Sequence, residues 1–253
     1  MVFEISDTSQ AEPLFAGWQE TLLYSCLQGI MGKIYATEAE TPRAAFAHVG
    51  CFGFYAGEPD RELVRFKPEG FGILTPQNGQ WAALIEEIYP EAKKVTRYAI
   101  RKDTAFDAEQ LRKNVLQLPD GYVLRPIDAD LYDQCLENPL TADFVSSFSG
   151  KQHFLEYGRG MVVVKNGEIV AGASSYSRYR EGIEIEVDTV PDERRRHLAL
   201  AACSALILQC LEEGLYPSWD AQNMASVRLA EKLGYVLDHE YTAYEVAPDR
   251  GNA

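Results

Sequence analysis

The sequence predicts a mixed α/β protein, and three observations predict it. Helix-period and strand-period apolar patterns alternate along the whole chain. An Asn166-Gly167 pair stands between two runs rich in β-branched residues, which is a two-residue hairpin signal. The stretch Leu198-Ala-Leu-Ala-Ala-Cys-Ser-Ala-Leu-Ile-Leu-Gln-Cys-Leu is apolar almost all round, so it reads as a helix buried on most sides between strands.

The elements follow in order. Trp18, Leu22, Cys26 and Ile30 recur at helical spacing, and Gly32 supplies a stop. Residues 33–37 and 44–56 read as strands, the second carrying Gly50, Gly53 and Gly57 as a bulge, a kink or a close approach to a ligand. Residues 79–88 read as a helix, 94–100 as a strand and 107–117 as a helix. Gln117-Leu-Pro-Asp-Gly121 punctuates the chain and divides it into domains 1–120 and 121–253, both acidic. His48 and Cys51 lie close together, but two ligands make no metal site, and a buried histidine is the expectation.

In the second half, 122–127 reads as a strand, 129–137 and 141–148 as helices, and 160–165 with 168–177 as the hairpin. Residues 181–189 alternate Ile183, Ile185 and Val187 against Glu184, Glu186 and Asp188, as a strand does. A long helix over 194–213 closes at Gly214. A strand (216–221), a helix (224–233) and a last strand (237–246) complete the order β-α-α-β-β-β-α-β-α-β.

Composition bounds the function. A chain of 253 residues with 46% hydrophobic and 25% charged residues is a folded protein, not a collagen, coiled coil or disordered chain. It contains no run of roughly 18 apolar residues, and its first residues, Met-Val-Phe-Glu-Ile-Ser-Asp, do not read as a secretory signal. Five cysteines without C-x-x-C spacing read as reduced thiols, so a cytoplasmic location is expected and no metal. With 24 Lys and Arg against 38 Asp and Glu, the net charge is −14. That disfavours nucleic acid and anionic membranes and favours a small cationic substrate such as an amine.

Two features carry chemistry. Arg194, Arg195 and Arg196 are expected at a helix start, where the macrodipole disfavours cations unless a polyanion is bound or Asp192 and Glu193 pair with them. Glu184, Glu186 and Asp188 share one face of an expected central strand, where carboxylates must be paired, open to a cleft or raised in pKa. A raised carboxylate suits deprotonation of an ammonium nucleophile. A solvated strand face would explain the same pattern. Cys203 and Cys210 lie two turns apart and read as small core residues.

Strand, then Pro191-Asp-Glu-Arg194-Arg-Arg-His197-Leu-Ala199, then helix, resembles the coenzyme A pyrophosphate loop of the GNAT acyltransferase superfamily, Q/R-x-x-G-x-G/A. Asn223-x-x-Ser226-x-x-Leu229-Ala-Glu-Lys-Leu-Gly234-Tyr235 is similar to its next signature, N-x-x-S/A-x-x-L-Y-x-K-x-G-F/Y. The resemblance covers roughly 122–248 and implies a mixed sheet flanked by helices, with the N-terminal α/β half as a degenerate copy of the same fold. It further implies transfer of an acetyl group from acetyl-CoA to an amine. Val187, Asp188 and Thr189 would pair with the pantetheine arm. Arg194, Arg195, Arg196, His197, Leu198 and Ala199 would wrap the pyrophosphate. Asn223 and Ser226 would contact the rest of the coenzyme, with Asn223 also readable as a helix cap.

Glu184 or Glu186 would be the general base for direct attack of the amine on the thioester, with backbone N–H groups of the strand holding the oxyanion. Two positions depart from the pattern. His197 replaces the loop's first glycine, bringing a Cβ and an imidazole toward the phosphates. Ala230 replaces the tyrosine that serves as general acid, leaving Tyr235 as a remote candidate. A catalytically inactive acyl-CoA-binding sensor or scaffold is the alternative reading. The N-terminal half could supply an acceptor wall or a homodimer surface.

Overall fold

A computed structural model describes residues 1–67 and 70–248. The chain forms two compact units, Met1–Arg97 with the segment from Glu240 onward, and Tyr98–His239. The Gln117–Gly121 break therefore lies inside the second unit, just before its first sheet strand.

The first unit holds β1 (Phe3–Glu4), α1 (Thr21–Leu27), β2 (Lys33–Ala36), β3 (Ala44–Val49), β4 (Phe52–Gly57), α2 (Arg61–Arg65), β5 (Gly72–Pro76), α3 (Gly79–Ile88) and most of β6 (Lys93–Ile100). Residues 44–56, expected as one strand, are a hairpin. β3 and β4 pair antiparallel from Ala44↔Gly57 to Val49↔Phe52, and Gly50 turns the chain at φ 58°. Gly53 answers the question of close approach: a Cβ there would lie 2.4 Å from the Phe46 ring, so a side chain and not a ligand fills the space. β4 and β5 run parallel over Phe52↔Ile73 to Tyr55↔Pro76. Phe46, Tyr55, Leu63, Trp81, Ile85 and Tyr244 close the core over them.

The second unit adds α4 (Ala108–Val115), β7 (Val123–Pro126), α5 (Ala129–Glu137), α6 (Lys151–Tyr157), β8 (Gly160–Lys165), β9 (Glu168–Tyr179), β10 (Gly182–Thr189), α7 (Leu198–Glu212), β11 (Tyr216–Ser218), β12 (Asp220–Ala221) and α8 (Met224–Lys232). The last strand, β13 (Leu237–Val246), ends in the first unit, where Tyr244–Val246 pair with β5. Residues 141–148, expected as a helix, hold only one 3-10 turn at Ala142–Phe144, and the helix falls later, at α6. The cause is local. The Thr141 hydroxyl donates back to the Cys135 carbonyl, and Gly150 at φ 153° starts α6 afresh.

The second unit's main sheet is ordered β11-β10-β9-β8-β7, antiparallel throughout except for parallel β10 and β11. Asn166 and Gly167, at φ 52° and 89°, make the β8–β9 turn as expected. α7 is apolar all round because it has neighbours all round. Strands β8, β9 and β10 cover one side and α4 packs on it, with Asn114 Nδ2 donating to Ser204 Oγ at 3.1 Å.

Apart from the two-residue β12, the two halves of the chain share an order of three strands, helix, strand, helix, strand: β2-β3-β4-α2-β5-α3-β6 in the N-terminal half and β8-β9-β10-α7-β11-α8-β13 in the C-terminal half. In each, the third strand pairs in parallel with the fourth. The N-terminal half thus repeats the order of the C-terminal half. Among the described residues, no helix is long and apolar enough to cross a membrane, and no group of three His, Cys, Asp or Glu side chains could hold a metal.

Candidate active site

The site is built around a strand that loses one neighbour halfway along. β10 pairs with β11 only through Gly182↔Tyr216, Ile183↔Pro217 and Glu184↔Ser218, and β11 then ends while β10 runs on to Thr189. The edge of β10 from Ile185 to Thr189 has therefore left the β11 ladder. At the parting point the β9–β10 register also slips, from Glu184↔Ser177 to Ile185↔Ser175, leaving Tyr176 as the extra residue of a bulge. Bulges re-aim side chains and end pairing, and they recur beside active sites. Gly182 allows the approach of β11: a Cβ there would stand 2.1 Å from the Tyr216 carbonyl oxygen.

Ile183, Ile185 and Val187 pack into the core beside α7, so alternation turns Glu184, Glu186 and Asp188 to the other face. Glu184 is only 4% exposed and lies between buried Ser177 and Ser218 on the adjacent strands. Glu186 is half-buried opposite Ser174. Asp188 is half-buried as well. It accepts from the Thr189 N–H at 2.6 Å and faces Arg194 Nη2 at 3.6 Å. Tyr235 is buried, donates its hydroxyl to the Pro217 carbonyl, and has its pKa raised well above the usual phenol value, chiefly by burial, with Glu184 among the charges adding to the shift. It is a core aromatic.

The three arginines do not start the helix. α7 begins at Leu198, and Arg194–Arg196 lie in the loop that precedes it, after a 3-10 turn at Pro191–Glu193. The reason is handedness. Arg195 and His197 both adopt φ 63°, which a right-handed helix cannot contain. His197 sits at the N-cap without a side-chain cap bond, and its carbonyl accepts the first helical bond from Ala201 at 3.0 Å. Histidine is among the residues enriched at positive φ, so it tolerates a position that suits glycine. Leu198 is buried and Ala199 half-buried at the helix start.

Each arginine has a separate setting. Arg194 Nε donates to the Thr189 carbonyl at 3.0 Å, and its acidic neighbour is Asp188, not Asp192. Arg196 pairs with Glu193 at 3.2 Å. Arg195 is exposed and makes no ion pair among the described residues. Glu193 in turn accepts from Lys165 Nζ at 2.6 Å and from the Tyr122 hydroxyl. Lys165 ends one strand and Tyr122 precedes another, so nothing local in the sequence links either to the loop.

Asn223 caps α8, its Oδ1 accepting from the Ala225 and Ser226 N–H groups at 2.9 and 3.0 Å. Ser226 Oγ accepts from Trp219 Nε1 at 3.1 Å. Ala230 is fully buried. Cys203 and Cys210 are buried in α7, and burial pushes the Cys210 thiol up to about 12, so neither offers a thiolate.

A model of the GNAT acetyltransferase family matches residues 12–244. The chain belongs to that family. The match spans both halves, so the GNAT assignment is not confined to the half that carries the motifs. The uncharacterized N-acetyltransferase YdfB of Bacillus subtilis is 26% identical over 240 residues, covering 88% of this chain and 89% of its own. The crystal structure of a GCN5-related N-acetyltransferase-like protein from Streptococcus suis is 45% identical, with a TM-score of 0.90 over 94% of this chain and 98% of that one. A tandem GNAT protein from the clavulanic acid biosynthesis pathway is 12% identical with a TM-score of 0.55 over 98% of each chain, which speaks for the fold. This GNAT protein is an N-acetyltransferase, and the family match favours acyl transfer over a silent binder.

Proposed function

We propose that this GNAT enzyme transfers an acetyl group from acetyl-CoA to the amine of a small cationic acceptor in the cytoplasm. One observation carries the reading: the open edge of β10 leads directly into a left-handed, arginine-rich loop and an uncapped helix start. A strand edge that has left its ladder suits an extended amide chain such as pantetheine, which at Thr189 would displace the local bonds to Asp188 and Arg194. Left-handed residues next to right-handed ones gather N–H groups into an anion-binding concavity, and the helix dipole adds to it.

In this reading Val187, Asp188 and Thr189 pair with the pantetheine arm. Arg194, Arg195 and Arg196 with the backbone of His197, Leu198 and Ala199 hold the pyrophosphate. The Asn223 and Ser226 end of α8 lines the remaining length. Every residue so named lies in the 121–253 half. Acetyl-CoA supplies an activated acyl group as a thioester.

Glu184 takes a proton from the acceptor's ammonium, directly or through water, and the freed amine attacks the thioester carbonyl, forming the amide as the C–S bond breaks and the coenzyme A thiolate leaves. Thr189 adjoins the phosphate loop, and Glu184 lies roughly 17 Å of strand further back, at the apex where β10 and β11 part. An arm lying along β10 from the loop ends at that apex, so Glu184 is nearer the reacting carbonyl than Glu186. The β10 N–H groups at the bulge are the donors available to that carbonyl's oxygen. The charge of −14 draws a cationic acceptor toward the protein.

Coenzyme A release from acetyl-CoA, followed across a panel of polyamines, aminoglycosides and amino acids, tests the reading. Turnover with at least one amine is expected. Absence of coenzyme A binding would overturn it.

A further inference from the structure

The loop that the proposed coenzyme site depends on holds two residues in a conformation their Cβ atoms oppose. Arg195 and His197 both stand at φ 63°. Left-handed backbone is unfavourable for an ordinary residue, so something outside the loop must hold it. Arg194 is tied to β10 by the Thr189 carbonyl, which fixes the entry to the loop. The rest hangs on Glu193.

Glu193 is the most enclosed charged side chain of the loop, 14% exposed, and it faces three partners. Lys165 Nζ reaches Oε1 at 2.6 Å, the Tyr122 hydroxyl donates to Oε2, and Arg196 Nε lies 3.2 Å from Oε2. Lys165 Nζ also contacts the Tyr122 hydroxyl at 3.2 Å and stacks over its ring, 5.0 Å from the centroid. Lys165 ends β8, and Tyr122 precedes β7. The carboxylate thus fastens the loop to two strands while aligning one of its arginines. The hydrogen bonds from Lys165 and Tyr122, with the charge of Arg196, hold the Glu193 carboxyl below the usual carboxylate range, yet toward a bound polyanion the same negative charge is repulsive. A carboxylate there is explained by what it anchors.

We infer that Glu193, held by Lys165 and Tyr122, is a positioning residue that pre-shapes the 194–199 loop for the coenzyme's pyrophosphate and aims Arg196 at it. The inference rests on the coenzyme A reading above and adds residues outside its motif. Pre-shaping raises affinity by removing the ordering cost from the binding step.

The test is calorimetric binding of coenzyme A to the full chain, with amide hydrogen exchange over residues 190–199. Glu193→Ala removes a negative charge near the bound phosphates, so electrostatics alone predicts tighter binding, whereas the anchor predicts binding weaker by about tenfold with faster exchange in the loop. Lys165→Met should reproduce that loss and Lys165→Arg should largely restore it, all with melting temperatures close to that of the wild type. Tighter or unchanged binding in Glu193→Ala, or weaker binding in Lys165→Met with loop exchange unaltered, would overturn the anchor. If the wild-type protein itself fails to bind coenzyme A, the coenzyme reading falls, and slow exchange at 190–199 that Lys165→Met accelerates would still establish the anchor.

Discussion

Asp60 and His197 stand at corresponding helix starts in the two repeated units, and only Asp60 fills the helix end behind it. Its carboxylate accepts from the Glu62 and Leu63 N–H groups at 2.7 and 3.2 Å, capping α2. His197 makes no such bond and leaves the first turn of α7 to another acceptor. The strands differ in the same sense. β4 and β5 pair over four residues, to Tyr55 of a strand that ends at Gly57, whereas β10 outruns its ladder with β11 by five residues, from Ile185 to Thr189. One topology therefore yields a closed strand pair with a self-capped helix in the first unit, and an open edge with an uncapped helix in the second. Only the second suits a chain ending in phosphates.

The exposed Arg195 is the first target. Arg194 and Arg196 already have partners, so Arg195 has the most interaction to gain from a pyrophosphate. Arg195→Ala should weaken coenzyme A binding by about 3–10-fold, less than an enclosed charge-assisted hydrogen bond contributes, because Arg195 is exposed. The wild-type affinity should fall with added salt more steeply than the variant's. Calorimetry at two ionic strengths reads both.

Glu184 and Glu186 should separate. A lost general base costs about 10²–10⁴-fold in rate. Glu184→Gln is expected to lose activity on that scale near neutral pH with coenzyme A binding intact, and Glu186→Gln to lose far less. A turnover assay with an accepted amine from pH 6 to 9 decides it. Equal, wild-type rates in both would make these carboxylates structural.

Asn223 tests a cap against a contact. Asn223→Ala should cost about 1 kcal/mol and lower the melting temperature by roughly 2–4 °C, because two N–H groups of α8 lose their acceptor. Asn223→Asp keeps an oxygen at the cap and should keep the melting temperature. If the proposed coenzyme site is right, the new negative charge at its edge should also lower coenzyme A affinity.

His48 provides a pH-dependent term in stability. Burial, and then the charge of Lys67, lowers its pKa to about 4 in the fold, against about 6.5 for a free imidazole. The neutral ring is the folded form, so its contribution is complete above about pH 6.5 and is lost as pH falls toward 4. His48→Gln should reduce the loss of stability between pH 7 and 4.5 by about 1–2 kcal/mol, a figure discounted because the ring is partly open to water. Urea denaturation at the two pH values measures it.

What the sequence determined by itself was whatever a short stretch of chain can enforce. Asn166-Gly167 demands a hairpin because both residues accept positive φ. The apolar 198–211 stretch demands burial. The acids and isoleucines of 182–189 divide between two faces by alternation alone, and the order of signatures around Arg194 and Asn223 placed the chain among the GNAT proteins. The tertiary structure decided the rest, because the deciding partners lie far apart in sequence. Three arginines next to an apolar run look like a helix start, and what excludes them is the left-handed backbone of Arg195 and His197, in a loop whose Glu193 meets Tyr122 and Lys165 from 71 and 28 residues away. No spacing rule shows where β11 stops, yet that end opens the edge of β10. Nor does any local signal show that Tyr244–Val246 return to pair with β5, more than 160 residues earlier, because strand pairing is a choice of the whole fold.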